Sequence, residues 1–396
     1  MRNNHRNFGG YRPRRYSNFR SNRRRFTPKS NTISIDKLIA KAIDCEPINI
    51  YVDECQCSQF NVDEILKRNM CDKGYTKPTK IQHKAIPEIL AGRDILGIAN
   101  TGSGKTATFL VPMIQKAMKD RSSTCLIVIP TRELAMQIQD EFRQLSRDTG
   151  IRSVLVIGGN SMRTQISILR NNPQFVICTP GRLKDLSQRK AINLSRVNNV
   201  VLDEVDRMLD MGFVEDIRHI VEKLNKNRQS LFFSATLDRK AEEIANKLLV
   251  NPIKIEIESE SQGKNVDQDV VRIQRGENKV GVLLNLLRQK ELEKVLIFTA
   301  TKRQADRLCK ELQHCKIFVE ALHGDKRQNQ RSRIIEKFKK GYVDVLIATD
   351  VASRGLDVEK ISHVINYDMP QSYSDYVHRI GRTGRAGRKG CALTFV

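Results

Sequence analysis

Short apolar runs alternate with amphipathic stretches from about residue 60 onward. The runs have the length and composition of buried strands, and helical sequence or a turn follows each of them. This alternation predicts an α/β fold in which helices cover both faces of a parallel sheet. In the first half the predicted strands are Ile95–Ala99, Leu126–Ile129, Val154–Ile157, Phe175–Cys178, Val200–Leu202 and Ser230–Phe233.

A second alternating series follows a break in the pattern. Asn251 and Pro252 interrupt the chain, and residues 258–265 are polar and poor in apolar side chains, as in a flexible linker. Because a closing helix would be expected after the last strand, we expect the sequence to be short at that end. The predicted strands of this half are Val295–Phe298, Ile317–Glu320, Val343–Ala348, His363–Asn366 and Ala392–Val396.

Length and composition support two domains in a reducing compartment. The chain has 396 residues, 39% of them apolar, but no apolar run approaches the ~18–20 residues of a membrane span. The sequence does not open with a signal peptide, which would show a charged segment followed by an apolar one. The nine cysteines are scattered, which favours reduced thiols over disulfides. We therefore expect a cytoplasmic protein without membrane contact. Cys45, Cys55, Cys57 and Cys71 lack the paired spacing of a zinc site.

The charge distribution points to a polyanionic partner. The net charge is +24, and ten positive charges without any acid fall within residues 1–31, which leaves +14 on the remainder. This segment has no apolar periodicity, so we predict a disordered tail. Its arginines would contact phosphates and its interleaved aromatics would stack on unpaired bases; the alternative is a solubilising tail. The aromatics are Phe8, Tyr11, Tyr16, Phe19 and Phe26.

The turn after the first predicted strand has the composition of a phosphate cradle. Its glycines allow backbone N–H groups to face phosphate oxygens at the start of a helix. Lys105 would meet the β- and γ-phosphates and Thr106 would ligate Mg²⁺, although Ala99 replaces the usual first glycine. The alternative is a glycine-rich turn without a ligand. The predicted phosphate-binding residues are Thr101, Gly102, Ser103, Gly104, Lys105 and Thr106.

An acidic tetrapeptide follows the predicted strand Val200–Leu202. Carboxylates at the end of a parallel strand face the cradle in such a sheet. Asp203 would hold Mg²⁺, largely through water, and Glu204 would orient or deprotonate the attacking water. The alternative is that these acids only cap a helix.

Further short motifs surround the cradle and the acidic tetrapeptide in a fixed order. They are Gly74–Gln82, Pro130–Leu134, Gly158–Gly159, Thr179–Arg182, Ser234–Thr236, His323–Asp325 with Gln328 and Arg331, Ala348–Asp357 and His378–Arg388. In order and spacing the set resembles the DEAD-box ATP-dependent RNA helicases over about residues 57–396. The resemblance implies two RecA-like domains with ATP in the cleft between them and RNA across the opposite face.

The resemblance also divides the chain and assigns its ATP-site residues. The divisions are the tail at 1–31, a variable extension at 32–56, domain 1 at 57–252, a linker at 253–266 and domain 2 at 267–396. It implies that Gln82 reads adenine together with Tyr75, that Asp357 contacts the ribose, and that Arg382 and Arg385 act as arginine fingers. Cys57 stands where the family usually has an aromatic, so we expect weak base stacking. The implied coupling residues are Ser234, Thr236, His378 and Arg379.

The implied partner is RNA, single-stranded or in short duplexes, gripped through its backbone without sequence reading. The implied contacts are Arg132, Gly159, Thr179, Arg182, Arg331 and Thr349. We expect a monomer that separates strands locally without translocation, with ribosomal or degradosome-type proteins as candidate partners. An ATP-gated RNA clamp is the alternative, and a DNA helicase is disfavoured. Hydrolysis should require closure of the cleft, because the fingers would lie away from Lys105 in an open state.

Overall fold

A computed structural model describes most of the chain beyond the basic tail. The predicted tail at 1–31 lies outside the described residues. The described residues are 33–42, 50–100, 102–257, 265–289, 292–353, 358, 361–384 and 389–396.

The first half of the described chain contains a seven-stranded parallel sheet. The strand order is β3-β4-β2-β5-β6-β1-β7, so β1 and β5 both lie beside β6 near the middle of the sheet. The strands are β1 (Ile95–Ile98), β2 (Cys125–Val128), β3 (Ser153–Val156), β4 (Phe175–Cys178), β5 (Asn199–Leu202), β6 (Gln229–Ser234) and β7 (Ile253–Glu256).

Helices cover both faces of this sheet, because alternate strand residues belong to two different cores. On β2, Ile127 packs in one core, whereas Leu126 and Val128 pack in the other. The helices are α1 (Glu64–Asp72), α2 (Lys80–Leu90), α3 (Lys105–Lys119), α4 (Arg132–Leu145), α5 (Met162–Leu169), α6 (Pro180–Gln188), α7 (Val205–Asp210), α8 (Val214–Lys223) and α9 (Arg239–Leu248).

The second half repeats this architecture with six parallel strands among the described residues, in the order β10-β11-β9-β12-β13-β8. The strands are β8 (Val266–Val271), β9 (Val295–Phe298), β10 (Val319–Leu322), β11 (Val345–Ala348), β12 (His363–Asn366) and β13 (Gly390–Phe395). The helices are α10 (Lys279–Leu287), α11 (Lys302–His314), α12 (Gln328–Lys339), α13 (Asp350–Ser353) and α14 (Tyr373–Ile380).

The predicted α/β fold is therefore observed in both halves, with differences at individual strands. The predicted linker at 253–266 begins too early, because β7 at its start pairs with β1, and its last residue begins β8. The strand predicted at Ile317–Glu320 lies two residues later, at Val319–Leu322. Lys316 adopts φ +64° at the end of the preceding helix, so the chain turns before the strand can begin.

Candidate functional site

The cradle and the acidic tetrapeptide meet at the carboxyl edge of the first sheet. Each follows a strand that borders β6, so the parallel topology brings them together. The Nζ atom of Lys105 lies 4.0 Å from Oδ1 of Asp203 and donates a hydrogen bond of 2.8 Å to the carbonyl of Ala99. Both charged side chains are buried. This arrangement places the two motifs side by side.

The cradle backbone has the conformation that its glycines permit. Gly102 and Gly104 adopt φ +87° and +92°, a region that strongly favours glycine. Between them, the Oγ atom of Ser103 is buried and has no hydrogen-bond partner in the described part of the chain. Buried hydroxyls rarely remain unpaired, so this atom marks a place for a polar ligand.

Gly104→Ala is expected to weaken nucleotide binding by about tenfold or more. A Cβ atom at this position would lie 2.7 Å from Nε2 of Gln82 and 2.9 Å from Oγ1 of Thr79. Gly92→Ala is the matched control, since its φ of +84° imposes a similar strain of about 1–2 kcal/mol but its Cβ would meet nothing within 4 Å. Titration with a fluorescent ATP analogue and urea unfolding of both variants check this prediction. Equal affinities in the two variants would contradict it.

Gln82 joins the start of α2 to the cradle. Its Oε1 accepts a hydrogen bond of 2.9 Å from the backbone N–H of Thr79, and its Nε2 donates one of 3.2 Å to the carbonyl of Gly104. The neighbouring Tyr75 donates a hydrogen bond of 2.6 Å to Glu141, and burial, followed by this carboxylate, raises the pKa of Tyr75. Gln82 and Tyr75 both line the cavity that contains the cradle.

Cys57 and Tyr51 lie in different environments. Cys57 packs in the first core, where burial raises the pKa of its thiol to about 11. Tyr51 is 47% exposed and lines the cavity, held beside Thr79 by a backbone bridge. No role for Tyr51 was predicted from the sequence, because its place at the cavity depends on the pairing with Thr79.

The acidic pair has two distinct environments. Burial, assisted by the charge of Glu204 and opposed by Lys105, raises the pKa of Asp203 to about 6. Glu204 adopts φ +53°, and its carboxylate pairs with Nη1 of Arg207 at 2.6 Å. Arg207 is a site residue that the sequence analysis did not identify.

Asp206, the last residue of the acidic tetrapeptide, binds the Ser234–Thr236 segment. Its Oδ2 atom accepts hydrogen bonds of 3.1 Å from the backbone N–H groups of Ala235 and Thr236. Its own backbone N–H donates to Oγ of Ser234 at 3.2 Å. The two predicted coupling residues Ser234 and Thr236 thus lie directly beside the acidic tetrapeptide.

The second half of the chain contributes Arg382 to the same cavity. This cavity has a volume of about 530 Å³ and includes Lys105, Glu204, Arg207 and Arg382 in its lining. We expected the fingers to lie away from Lys105 in an open state, but the structure shows Arg382 buried at the shared cavity. Three other predicted ATP-site residues lie outside the described residues. They are Thr101, Asp357 and Arg385.

Both domains also approach each other at His378. Burial and then the charge of Arg207 lower the pKa of His378, and Asp210 of α7 acts in the opposite direction. Arg379, in contrast, binds within its own domain. It pairs with Asp350 at 2.6 and 2.8 Å and lies over the ring of Phe298.

Comparisons with known proteins agree with this geometry. The family model described as "DEAD/DEAH box helicase" matches residues 79–244, and that described as "Helicase conserved C-terminal domain" matches residues 278–387. The chain belongs to the DEAD-box family of ATP-dependent RNA helicases. The predicted family and the predicted two RecA-like domains are therefore confirmed.

Relatives in this family cover most of the chain. ATP-dependent RNA helicase CshA of Listeria monocytogenes is 43% identical over 341 residues, which are 86% of this chain and 65% of the relative. DEAD-box ATP-dependent RNA helicase RhpA of Helicobacter pylori is 43% identical over 354 residues, covering 88% and 72%. The structure of Dbp5 from S. cerevisiae bound to RNA and ADP BeF3 gives a TM-score of 0.74 at 32% identity, covering 86% and 89%.

Three of the predicted RNA-contact residues form a cationic group where the halves meet: Arg132 and Arg182 of the first domain and Arg331 of α12 in the second. Burial lowers the pKa of Arg132, and the charges of Arg331 and Arg182 act in the same direction, so the three guanidinium groups are neighbours. Arg182 is held by the carbonyl of Asn160 and by Oε1 of Gln165, each at 3.1 Å. Arg132 and Arg182 carry positive charge suited to phosphates, whereas Arg331 is paired with Glu133.

Two smaller residues fit around this cationic group. Gly159 leaves room for Arg132, because a Cβ atom at this glycine would lie 2.7 Å from Nη1 of the arginine. Thr179 is buried and donates its backbone N–H to the carbonyl of Val156 at 3.1 Å. Thr349 lies elsewhere, after β11, and donates its backbone N–H to the carbonyl of Leu322 at 3.4 Å.

Glu133 joins the two domains beside this group. Its Oε1 accepts a hydrogen bond of 3.0 Å from Gln328 and pairs with Nη2 of Arg331 at 2.9 Å. All three side chains are buried. Glu133 lies within the Pro130–Leu134 motif, but its contacts with the second domain were not predicted from the sequence.

The structure also bears on metals and membranes. Within the described ranges, no group of three or more His, Cys, Asp or Glu residues is placed to hold a metal ion. No helix among those residues is long and apolar enough to cross a membrane.

Proposed function

We propose that this chain is an RNA-stimulated ATPase that locally unwinds or remodels short RNA duplexes and RNA–protein complexes. The observation that carries the proposal is the shared cavity, where Arg382 of the second domain joins Lys105 and Glu204 of the first. A site built from both domains is completed only when they meet, which links hydrolysis to their relative position. The relatives CshA and RhpA are ATP-dependent RNA helicases, which supports the same activity.

The first domain would bind the phosphates and the metal ion. Lys105 and the cradle N–H groups would hold the phosphates, and the unpaired Ser103 hydroxyl fits such a ligand. Thr106 and Asp203 offer the hard oxygen ligands that Mg²⁺ prefers. When bound, Mg²⁺ would neutralise charge on the phosphates. Glu204 would orient or deprotonate the attacking water.

Arg382, together with the predicted Arg385, would stabilise the charge that develops on the γ-phosphate. Gln82 and Tyr75 would bind adenine, and Asp357 would contact the ribose. Tyr51 adds an aromatic face at the cavity rim, which supports a base-stacking role in place of Cys57.

RNA would bind through its backbone along the cationic group of Arg132, Arg182 and Arg331. Contacts to phosphate and sugar carry no base information, so binding would be independent of sequence. The structure of Dbp5 bound to RNA supports this partner. The monomeric state, the cytoplasmic location and the ribosomal or degradosome-type protein partners stay predictions.

Release of a short RNA strand is the experiment that tests this function. We expect ATP to support release of a labelled ~10-base-pair RNA duplex, since a duplex of this length is held by few stacking steps. A non-hydrolysable ATP analogue should support no more than a single round. A DNA duplex of the same sequence serves as the control. Equal multiple-turnover release with the analogue would favour the RNA clamp, and equal release of both duplexes would contradict an RNA-directed activity.

A further inference from the structure

Ten residues that precede the first domain in sequence pack against the second domain. We name residues 33–42 the strap. Leu38, in its short 3₁₀ helix, is fully buried and contacts an apolar cluster that includes Tyr376 of α14. The other buried members of this cluster are Val266, Ile380 and Ala392.

Hydrogen bonds fix the strap along β8, the edge strand of the second sheet. Ala40 and Gln268 form an antiparallel pair with N–H to carbonyl distances of 3.0 and 2.7 Å. The backbone N–H of Ala42 donates to Oδ1 of Asp267 at 2.8 Å. The hydroxyl of Tyr376 donates to the carbonyl of Leu38 at 3.4 Å. The strap is therefore attached by packing and by backbone pairing together.

The anchor of the strap lies on the helix that leads to the ATP cavity. Tyr376 contacts Leu38, and two residues later His378 lies near Arg207 of the first domain. The chain then continues directly to Arg382 at the cavity. Because the strap packs against α14, it holds the helix that immediately precedes Arg382.

Beyond the strap, the chain returns to the first domain at the rim of the same cavity. The carbonyl of Ile50 accepts a hydrogen bond of 2.8 Å from Lys80, and the N–H of Val52 donates to Pro78 at 2.9 Å. Two covalent connections thus join the domains, one from 42 to 50 and one from 257 to 265. Each spans eight residue steps, so neither can exceed about 29 Å.

We propose that the docked strap is an intramolecular clip that favours closure of the ATP cleft. A single connection leaves the domains free to swing about it. A second connection, which leaves the second domain beside Asp267 and re-enters the first at Ile50, restricts their separation and raises their effective concentration. This proposal rests on the proposed function of the cavity. Burial of one leucine is large enough to shift the ratio of closed to open molecules by about tenfold.

Leu38→Glu in the full chain is the test, with Ile39→Glu as the matched control. Ile39 is the next residue in the strap but is 48% exposed, so its substitution adds the same charge without disturbing the cluster. For Leu38→Glu we expect the RNA concentration that half-activates ATP hydrolysis to rise about tenfold, with kcat at saturating RNA within about twofold of wild type. Small-angle X-ray scattering of the ligand-free protein should show a larger maximum dimension for this variant only.

Ala40→Pro provides an independent route, because proline removes the N–H that pairs with Gln268. It should reproduce the effect of Leu38→Glu, and the conservative Leu38→Met should restore the wild-type RNA dependence. Hydrogen exchange at the Gln268 amide reports whether the strap is docked. If a variant lost protection there but kept the wild-type RNA dependence and scattering, the proposal would be overturned. If wild type itself showed no RNA-stimulated hydrolysis, the proposed function would fail. The maximum dimensions of wild type and Leu38→Glu would still test whether the strap holds the domains together.

Discussion

Arg382→Ala is expected to slow RNA-stimulated ATP hydrolysis by about 10³-fold or more. The guanidinium group comes from the second domain and is 5% exposed at the cavity that Lys105 lines. In such a water-poor place, a fixed positive charge stabilises the transition state far more than a solvated charge would. Phosphate release measured at saturating ATP and RNA gives the effect on kcat.

Two further variants distinguish a specific arginine-finger role of Arg382 from a general effect of positive charge. Arg382→Lys keeps the charge but loses the planar fork, so only a small part of the rate should return. Arg307→Ala removes an exposed arginine of α11 and should leave kcat unchanged. A decrease below tenfold in Arg382→Ala, with Arg307→Ala unaffected, would show that Arg382 lines the cavity without acting on the phosphates.

Glu204→Gln is expected to reduce kcat by about 10²- to 10⁴-fold while ATP and RNA still bind. The amide has nearly the same shape, and its oxygen can still accept from Arg207, so the site should keep its structure. What is lost is the carboxylate that orients or deprotonates water. Single-turnover hydrolysis and nucleotide titration measure the two quantities separately.

Glu215→Gln is the matched control for this substitution. Glu215 also pairs with an arginine three residues away, Arg218, but its side chain is 74% exposed on α8. It should hydrolyse ATP at the wild-type rate. Hydrolysis by Glu204→Gln within threefold of wild type would refute the assigned role, and an equal loss of binding would indicate a structural role instead.

The strands that the sequence predicts well are those buried on both faces. A strand such as β2 reads as a continuous apolar run, because both of its faces pack in cores. The edge strands β7 and β8 carry polar residues such as Lys254 and Asp267, so they lack a continuous apolar run that would predict them. This difference explains why the predicted linker at 253–266 included the residues of β7.

Some site residues could be predicted from the sequence and others could not. Lys105 and Asp203 were predictable, because each lies beside a buried strand whose end fixes its position. Arg207 and Glu133 were not, because their roles depend on contacts with other side chains, Glu204 in one case and Arg331 in the other. Tyr51 reaches the cavity only through its pairing with Thr79, which no local pattern encodes.

The contact between Leu38 and Tyr376 joins residues 338 positions apart in the chain. During synthesis, Leu38 leaves the ribosome 338 residues before its partner Tyr376. At roughly 5–20 residues per second, the strap waits about 15–70 seconds for a surface on which to dock. The first domain can fold during this interval, whereas the apolar strap stays unpaired. The nascent chain therefore exposes this segment throughout that interval, and chaperones or neighbouring nascent chains have that long to reach it.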